Sequence, residues 1–196
     1  TRVVIGAPFY SLTGQDHGMV VIYDFYSLSV VADMYFVGGQ AYSYLGFTVA
    51  ISLDGKNIFA GVPQNWTLNG TLAAFHEYPD NPGVFNRCPL TVFGGIRDSG
   101  FGKIVAISGD GSYVVSSSKT YDYVYSYAFN GSTCSFTFQE TVTPDVRGIN
   151  FGSALAMSSD GKVLGVGAML SSTGGSFYAY DAQTKPTAAP TEQPTV

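Results

Sequence analysis

Three stretches of this chain are near copies of one another. "LGFTVAISLDGKNIFAGVP" (45–63), "GFGKIVAISGDGSYVVSSS" (100–118) and "FGSALAMSSDGKVLGVGA" (151–168) align without gaps when Asp54, Asp110 and Asp160 are set in register. Gly46, Gly102 and Gly152 then coincide, as do Ala50, Ala106 and Ala156, and Ser52, Ser108 and Ser158. Gly55, Gly111 and Gly161 follow each aspartate, and the apolar positions Val49/Val105/Leu155 and Ile51/Ile107/Met157 hold as well. The opening "TRVVIGAP" matches the second half of the unit, with Gly6-Ala7-Pro8 over Gly61-Val62-Pro63, so the chain enters the pattern midway. A repeat spaced 56 and then 50 residues apart limits the fold to an array of like units, each burying its apolar faces against its neighbours.

Each unit reads as four short strands. In "FTVAIS" and "SALAMS" apolar residues alternate with small or polar ones at the two-residue period of a strand. Asp-Gly follows, and between apolar alternations it predicts a two-residue hairpin turn with φ > 0 at both central residues. "NIFAGVP", "RVVIGAP" and "VLGVGAM" give the second strand. The third is "GMVVIYDF" (18–25), "GTLAAFHEY" (70–78), "DYVYSYAF" (122–129) or "GSFYAYDA" (175–182). The fourth, least regular, is "VVADMYF" (30–36), "PLTVF" (89–93) or "SFTFQETV" (135–142). No segment carries a sustained helical stripe. The expectation is an all-β fold, a β-propeller of four-stranded antiparallel blades. Glycine and alanine suit the crowded inner strands, and 14 tyrosines and 14 phenylalanines fill the space between blades.

The pattern "FG-x-x-(V/L)-A-(I/M)-S" running into "G-A-P" resembles the FG-GAP repeat, the blade unit of integrin alpha-subunit propellers and of many extracellular proteins. The resemblance covers residues 1 to about 182. In the integrin version several blades hold a calcium-binding loop resembling D-x-D-x-D-G between the first two strands. Here that place holds only Leu53-Asp54-Gly55, Gly109-Asp110-Gly111 and Ser159-Asp160-Gly161. Calcium takes about six to eight oxygens, so the aspartates read as turn formers, with no metal and no cofactor expected.

The segments run as a partial blade 1–44, blades 45–99 and 100–149, a partial blade 150–182 and a Pro/Thr-rich linker or stalk 183–196. This makes about three and a half blades, fewer than the roughly four to eight that close a ring. The remaining blades are expected from the same longer chain or from a second chain, and residues 1–196 are not expected as a soluble monomer, because lone blade faces and edges associate.

Charged residues are only 12% of the chain, the net charge is −5, and nine basic residues lie scattered, so no nucleic-acid footprint is present. No apolar run approaches the roughly 20 residues of a membrane span. Three sequons, starting at Asn65, Asn69 and Asn130, use three of the seven asparagines and predict N-glycosylation in loops. The tail repeats Pro-Thr every four residues, with Thr184, Thr187, Thr191 and Thr195 as O-glycosylation candidates in an extended stalk. Cys88 and Cys134 leave two readings, a disulfide as in secreted chains or separate thiols on outer strands that splay apart.

Neither His17 nor His76 has a local partner set, and Glu77, Asp80 and Asp98 lack a spacing that brings them together. The reading is therefore an extracellular, glycosylated interaction module of a cell surface, cell wall or appendage, and not an enzyme. Its partners would be other extracellular proteins or glycans, with Trp66, Tyr121 and Tyr123 as candidate contacts. The alternative is an extracellular carbohydrate-active enzyme with catalytic residues mostly outside this stretch.

Overall fold

A computed structural model of the chain describes residues 2–11, 15–27, 30–37, 42–63, 70–88, 92–93, 100–118, 122–171 and 174–181. Among these residues every regular element is a strand. The first sheet joins β1 (Arg2–Ala7), β2 (Met19–Asp24) and β3 (Val30–Val37) in that order. The second runs β4 (Val49–Ile51), β5 (Asn57–Val62) and β6 (Thr71–Glu77), then β7 (Phe85–Arg87) and β8 (Val92–Phe93). β9 (Val105–Ile107), β10 (Tyr113–Ser118), β11 (Tyr123–Asn130) and β12 (Ser135–Val142) make the third. The fourth holds β13 (Phe151–Met157), β14 (Val163–Ser171) and β15 (Gly174–Asp181). Every strand pairing within these sheets is antiparallel, and the fold is β-propeller-like.

The alternation read in the sequence becomes two packed faces per sheet. Val4, Val20 and Ile22 of the first sheet meet Leu45, Ile58, Ala60 and Phe75 of the second. Phe59, Leu72 and Ala74 on the second sheet's other face meet Phe101, Val114, Tyr125 and Tyr127 of the third. Val115, Val124 and Val142 then meet Phe151, Leu164 and Val166 of the fourth. Aromatic rings pack edge to face both between layers, with Phe59–Phe129 centroids 5.0 Å apart, and within the fourth sheet, with Phe151–Tyr178 5.3 Å apart. The innermost strands β4, β9 and β13 lie side by side, so the four sheets follow one another around a common side.

The repeated glycines mark where backbones touch. A Cβ on Gly61 would stand 1.8 Å from the Gly102 carbonyl oxygen, and one on Gly6 would stand 2.0 Å from that of Gly46. The glycine before the second turn-distal strand end therefore meets the glycine of the next unit, and only hydrogen fits between them.

Two local expectations are corrected. The Asp-Gly turns are not two-residue hairpins. Positive φ occurs at Gly55, Gly111 and Gly161 (74°, 71° and 70°) but not at the preceding aspartates. Ser52 N–H donates to Asn57 O at 2.9 Å and Gly55 N–H to Ser52 O at 2.9 Å, closing a longer loop. The cause is the aspartate itself: it accepts from Ser52 Oγ (2.6 Å) and Lys56 N–H (3.0 Å), which holds its backbone on the right-handed side. The fourth strand expected at 89–93 is likewise divided, since β7 pairs with Phe75–Glu77 and β8 with Thr71–Leu72 of the same strand β6. Cys88 follows the first piece directly, and its N–H donates to Ala74 O at 2.9 Å.

Candidate functional site

The Asp-Gly loops line up at one end of the sheets and are joined to each other. Leu53 N–H donates to Gly109 O at 2.7 Å, and Gly109 N–H donates to Ser159 O at 2.8 Å. These three residues are equivalent positions of the repeat, so one bond is made twice across successive sheets. Side chains at one repeat position also reach the next loop, though to acceptors one residue apart in the register: Arg2 Nη1 donates to Gly55 O at 2.9 Å and Asn57 Nδ2 to Asp110 O at 3.2 Å. Arg2 also pairs with Glu77 and lies over the Phe85 ring, 5.1 Å from its centroid. The Arg2 hydrogen bond, against partial burial and with help from Gly83 N–H, holds the Glu77 carboxyl below its ordinary range.

Each loop aspartate is committed inward. Asp110 accepts from Ser108 Oγ at 2.6 Å and Ser112 N–H at 2.9 Å, and Asp160 accepts from Ser158 Oγ at 2.7 Å and Lys162 N–H at 3.1 Å. The serine bond leads in lowering both carboxyls. At Asp54 burial opposes ionisation, but the Ser52 and Lys56 bonds outweigh it and the carboxyl is again lowered. The described residues contain no group of three or more His, Cys, Asp or Glu arranged to hold a metal ion.

At the same end the β11–β12 turn leans over the second sheet. Cys134 in this turn is bonded to Cys88, with Cα atoms 5.2 Å apart. The cysteine lies in the turn rather than on an outer strand, which brings it within reach that splayed outer strands would deny. Gly131 of the turn packs on His76, whose Nδ1 lies 2.7 Å from Asn57 Oδ1. Asn130, at the turn's start, is exposed, and its Oδ1 accepts from Ser132 Oγ at 2.7 Å. The sequon asparagine, the disulfide and the interlocked loops thus share one end of the molecule.

Tyr123 sits at the opposite end, half-buried, with its hydroxyl accepting from Arg147 Nη1 at 2.9 Å and its ring under the guanidinium at 5.0 Å. His17 and His76 are not brought together with an acid and a nucleophile among the described residues. Asn65, Asn69, Trp66, Asp98, Tyr121, Thr184, Thr187, Thr191 and Thr195 lie outside the described residues. What the sequence did not signal is the linkage of equivalent loops from sheet to sheet, because it is made by backbone atoms that no residue type announces.

No family model matches this chain, and no curated protein matches it in sequence. Solved structures do match in shape. One, from Bacteroides uniformis, is described as a putative 6-phosphogluconolactonase; it is 20% identical with a TM-score of 0.61, over 91% of this chain and 53% of that one. A second of the same description, from Bacteroides fragilis, is 17% identical with a TM-score of 0.57, over 89% and 50%. Hydrazine synthase of Kuenenia stuttgartiensis is 16% identical with a TM-score of 0.55, over 84% and 52%. The chain thus spans about half the length of these structures, and the likeness shows the fold alone. Within that limit one expectation is corrected: the reading "not an enzyme" does not stand, because the fold is shared with chains that carry an enzyme's name. The absence of a local catalytic spacing was too weak a ground for it. No helix among the described residues is long and apolar enough to cross a membrane.

Proposed function

We propose that this chain is part of an FG-GAP-like β-propeller, about three and a half blades of it, working outside the cell as a glycosylated interaction module. The observation that carries the reading is the Asp-Gly end. There a cross-sheet disulfide, Cys88–Cys134, stands four residues from an exposed sequon asparagine, Asn130. Disulfides persist in oxidising compartments, and a sugar on a hairpin tip disturbs no ladder. The blade count is supported by four sheets in which β4, β9 and β13 are equivalent inner strands. The family reading is supported by the meeting of Gly61 with Gly102 and of Gly6 with Gly46, which gives each motif glycine a steric reason. Proteins or glycans would be contacted by loops at the sheet ends, and further blades would come from the same longer chain or from a second one.

Glycopeptide mass analysis and thiol alkylation of material from the native source test this. Hexosamine on Asn130 and alkylation-resistant Cys88 and Cys134 are expected. A bare Asn130 together with free thiols overturns the extracellular reading. A second reading, an extracellular carbohydrate-active enzyme, draws on the enzyme name carried by two structural neighbours. Turnover of sugar lactones or polysaccharides by the same material would favour it.

A further inference from the structure

One loop carries bulky side chains on backbone that does not suit them. With Gly46 and Gly152 in register, Tyr42 and Tyr44 stand where the fourth unit has Gly148 and Asn150, and Gly100 matches Tyr44 in the third. Tyr42, Tyr44, Gly148 and Asn150 all hold left-handed backbone, with φ of 57°, 54°, 79° and 55°. Glycine and asparagine take that conformation readily, whereas the Cβ of a tyrosine strains it. The repeat therefore fixes the backbone, and this loop alone fills both positions with large aromatic side chains. Strain of this kind leads from the outlier to a use for the side chain.

The surroundings of the loop fit a use at the surface. Phe9 is 68% exposed, and its ring meets Tyr44 edge to face with centroids 5.9 Å apart. Tyr42 is 41% exposed. The chain from Asp16 to Gly18 runs parallel to residues 43–45. Tyr44 N–H donates to Asp16 O at 3.4 Å, Leu45 N–H to His17 O at 3.2 Å and Ser43 Oγ to His17 O at 2.6 Å, and Gly18 bridges to Leu45. Backbone atoms and the buried Ser43 thus hold the loop, and the tyrosine hydroxyls have no share in these bonds. Asp16 is half-buried beside Tyr44, and its carboxylate takes no hydrogen bond or ion pair among the described residues.

We propose that Phe9, Tyr42 and Tyr44, with the Asp16 carboxylate beside them, bind a neutral β-linked hexose glycan; the inference rests on the interaction role proposed above and names its ligand class. Aromatic faces stack on the axial C–H bonds of a pyranose whose hydroxyls are all equatorial. An ionised carboxylate accepts hydrogen bonds and donates none, so the ligand must bring donors, which sugar hydroxyls are. Tyrosine hydroxyls donate and accept, and serve the same rim. In a chain of net charge −5, with Asp16 at the site, an acidic glycan is disfavoured. Size decides between a glycan and a protein. At these exposures three rings of about 150–250 Å² each leave on the order of 300 Å². A stable protein interface buries roughly 800 Å² on each side. A short glycan fits this surface and a globular partner does not.

The test is titration of the full, oxidised, isotope-labelled chain with cellotetraose, tetragalacturonate and tetramethylammonium, read by amide chemical shifts. The last probe stands for a basic peptide, which aromatic rings and a carboxylate would also attract. Saturable shifts at Phe9, Asp16, Tyr42 and Tyr44 are expected with cellotetraose, at least tenfold tighter than with either charged probe. Tyr42→Gly restores the residue of the fourth unit and relieves the backbone. It should weaken binding at least tenfold while the thermal midpoint stays level or rises, a combination that a structural tyrosine would not give. Tyr44→Asn should weaken binding by a similar factor, and Asp16→Ala by at least threefold. Absence of saturable shifts with cellotetraose, equal or tighter binding of a charged probe, or undiminished binding by the folded Tyr42→Gly chain overturns the proposal. So does a thermal midpoint lowered by Tyr42→Gly. Native protein with a glycosylated Asn130 and bonded cysteines that fails to bind defeats this inference and leaves the extracellular reading intact. A bare Asn130 and free thiols together with saturable binding would do the reverse.

Discussion

At the scale of single residues, one carboxylate or one missing Cβ decides how sheets meet. Gly61→Ala places a methyl 1.8 Å from a backbone oxygen that cannot swing aside. Overpacking of this kind costs about 1–3 kcal/mol, and a backbone obstacle puts it at the upper end. Denaturant titration should show that loss for Gly61→Ala. Gly148→Ala, with φ of 79° and nothing within 4 Å, should lose only the roughly 1 kcal/mol of left-handed backbone strain. Glu77 makes a pH prediction. Its folded carboxyl titrates below the ordinary 4.5, so its contribution is fully present above that value and is lost as pH falls through the folded one. Glu77→Gln should therefore cost roughly 1 kcal/mol at pH 7 and flatten the acid limb of the stability curve below about pH 4.5. The loop aspartates predict something different. With Asp54, Asp110 and Asp160 each committed to a serine hydroxyl and a backbone N–H, a chelator should leave the thermal midpoint unchanged. A drop of more than a few degrees with chelator would show oxygens gathered around a cation.

At the scale of elements, the disulfide does what strand pairing does not: it ties the turn of one sheet to the edge of its neighbour. It closes a separation of 46 residues, for which loop-closure entropy gives about 4 kcal/mol. Cys88→Ser with Cys134→Ser should lower stability by up to that amount, and amide exchange should quicken first in the 130–134 turn and in β7. The strands themselves were readable in the sequence because alternation of Val, Ile and Tyr with small residues fixes both period and buried face. Tyr125, Tyr127 and Phe129 all face the second sheet, as a two-residue period requires. The turn type was not readable from the Asp-Gly dipeptide, because the deciding partner is a serine two residues earlier. The division of the outer strand escaped for a similar reason, since "PLTVF" shows apolar character but not where its partner strand runs.

For the whole molecule, three seams are closed and two faces are left. The outward face of the fourth sheet carries Ala154, Ala156, Phe177 and Ala179, with Phe177 lying over Gly165 and 65% exposed. The outward side of β1 shows Val3 and Ile5, exposed by 37% and 47%. Both faces match what the interior seams bury, namely small residues with an occasional large apolar one, and burial is worth about 25 cal/mol for each Å² removed from water. The ladder through Leu53, Gly109 and Ser159 runs in one direction, donor to acceptor, so a further sheet of the same kind would extend it head to tail rather than pair symmetrically. Residues 1–196 produced alone should therefore self-associate, with a weight-average mass in sedimentation that rises with concentration. Phe177→Lys or Ile5→Lys places a charge in the face that must be desolvated, and either change should lower the association at least tenfold while leaving the amide protection of β5, β6, β10 and β11 in place. A wild-type chain that stays monomeric across the accessible concentration range would mean that these two faces are satisfied as they stand.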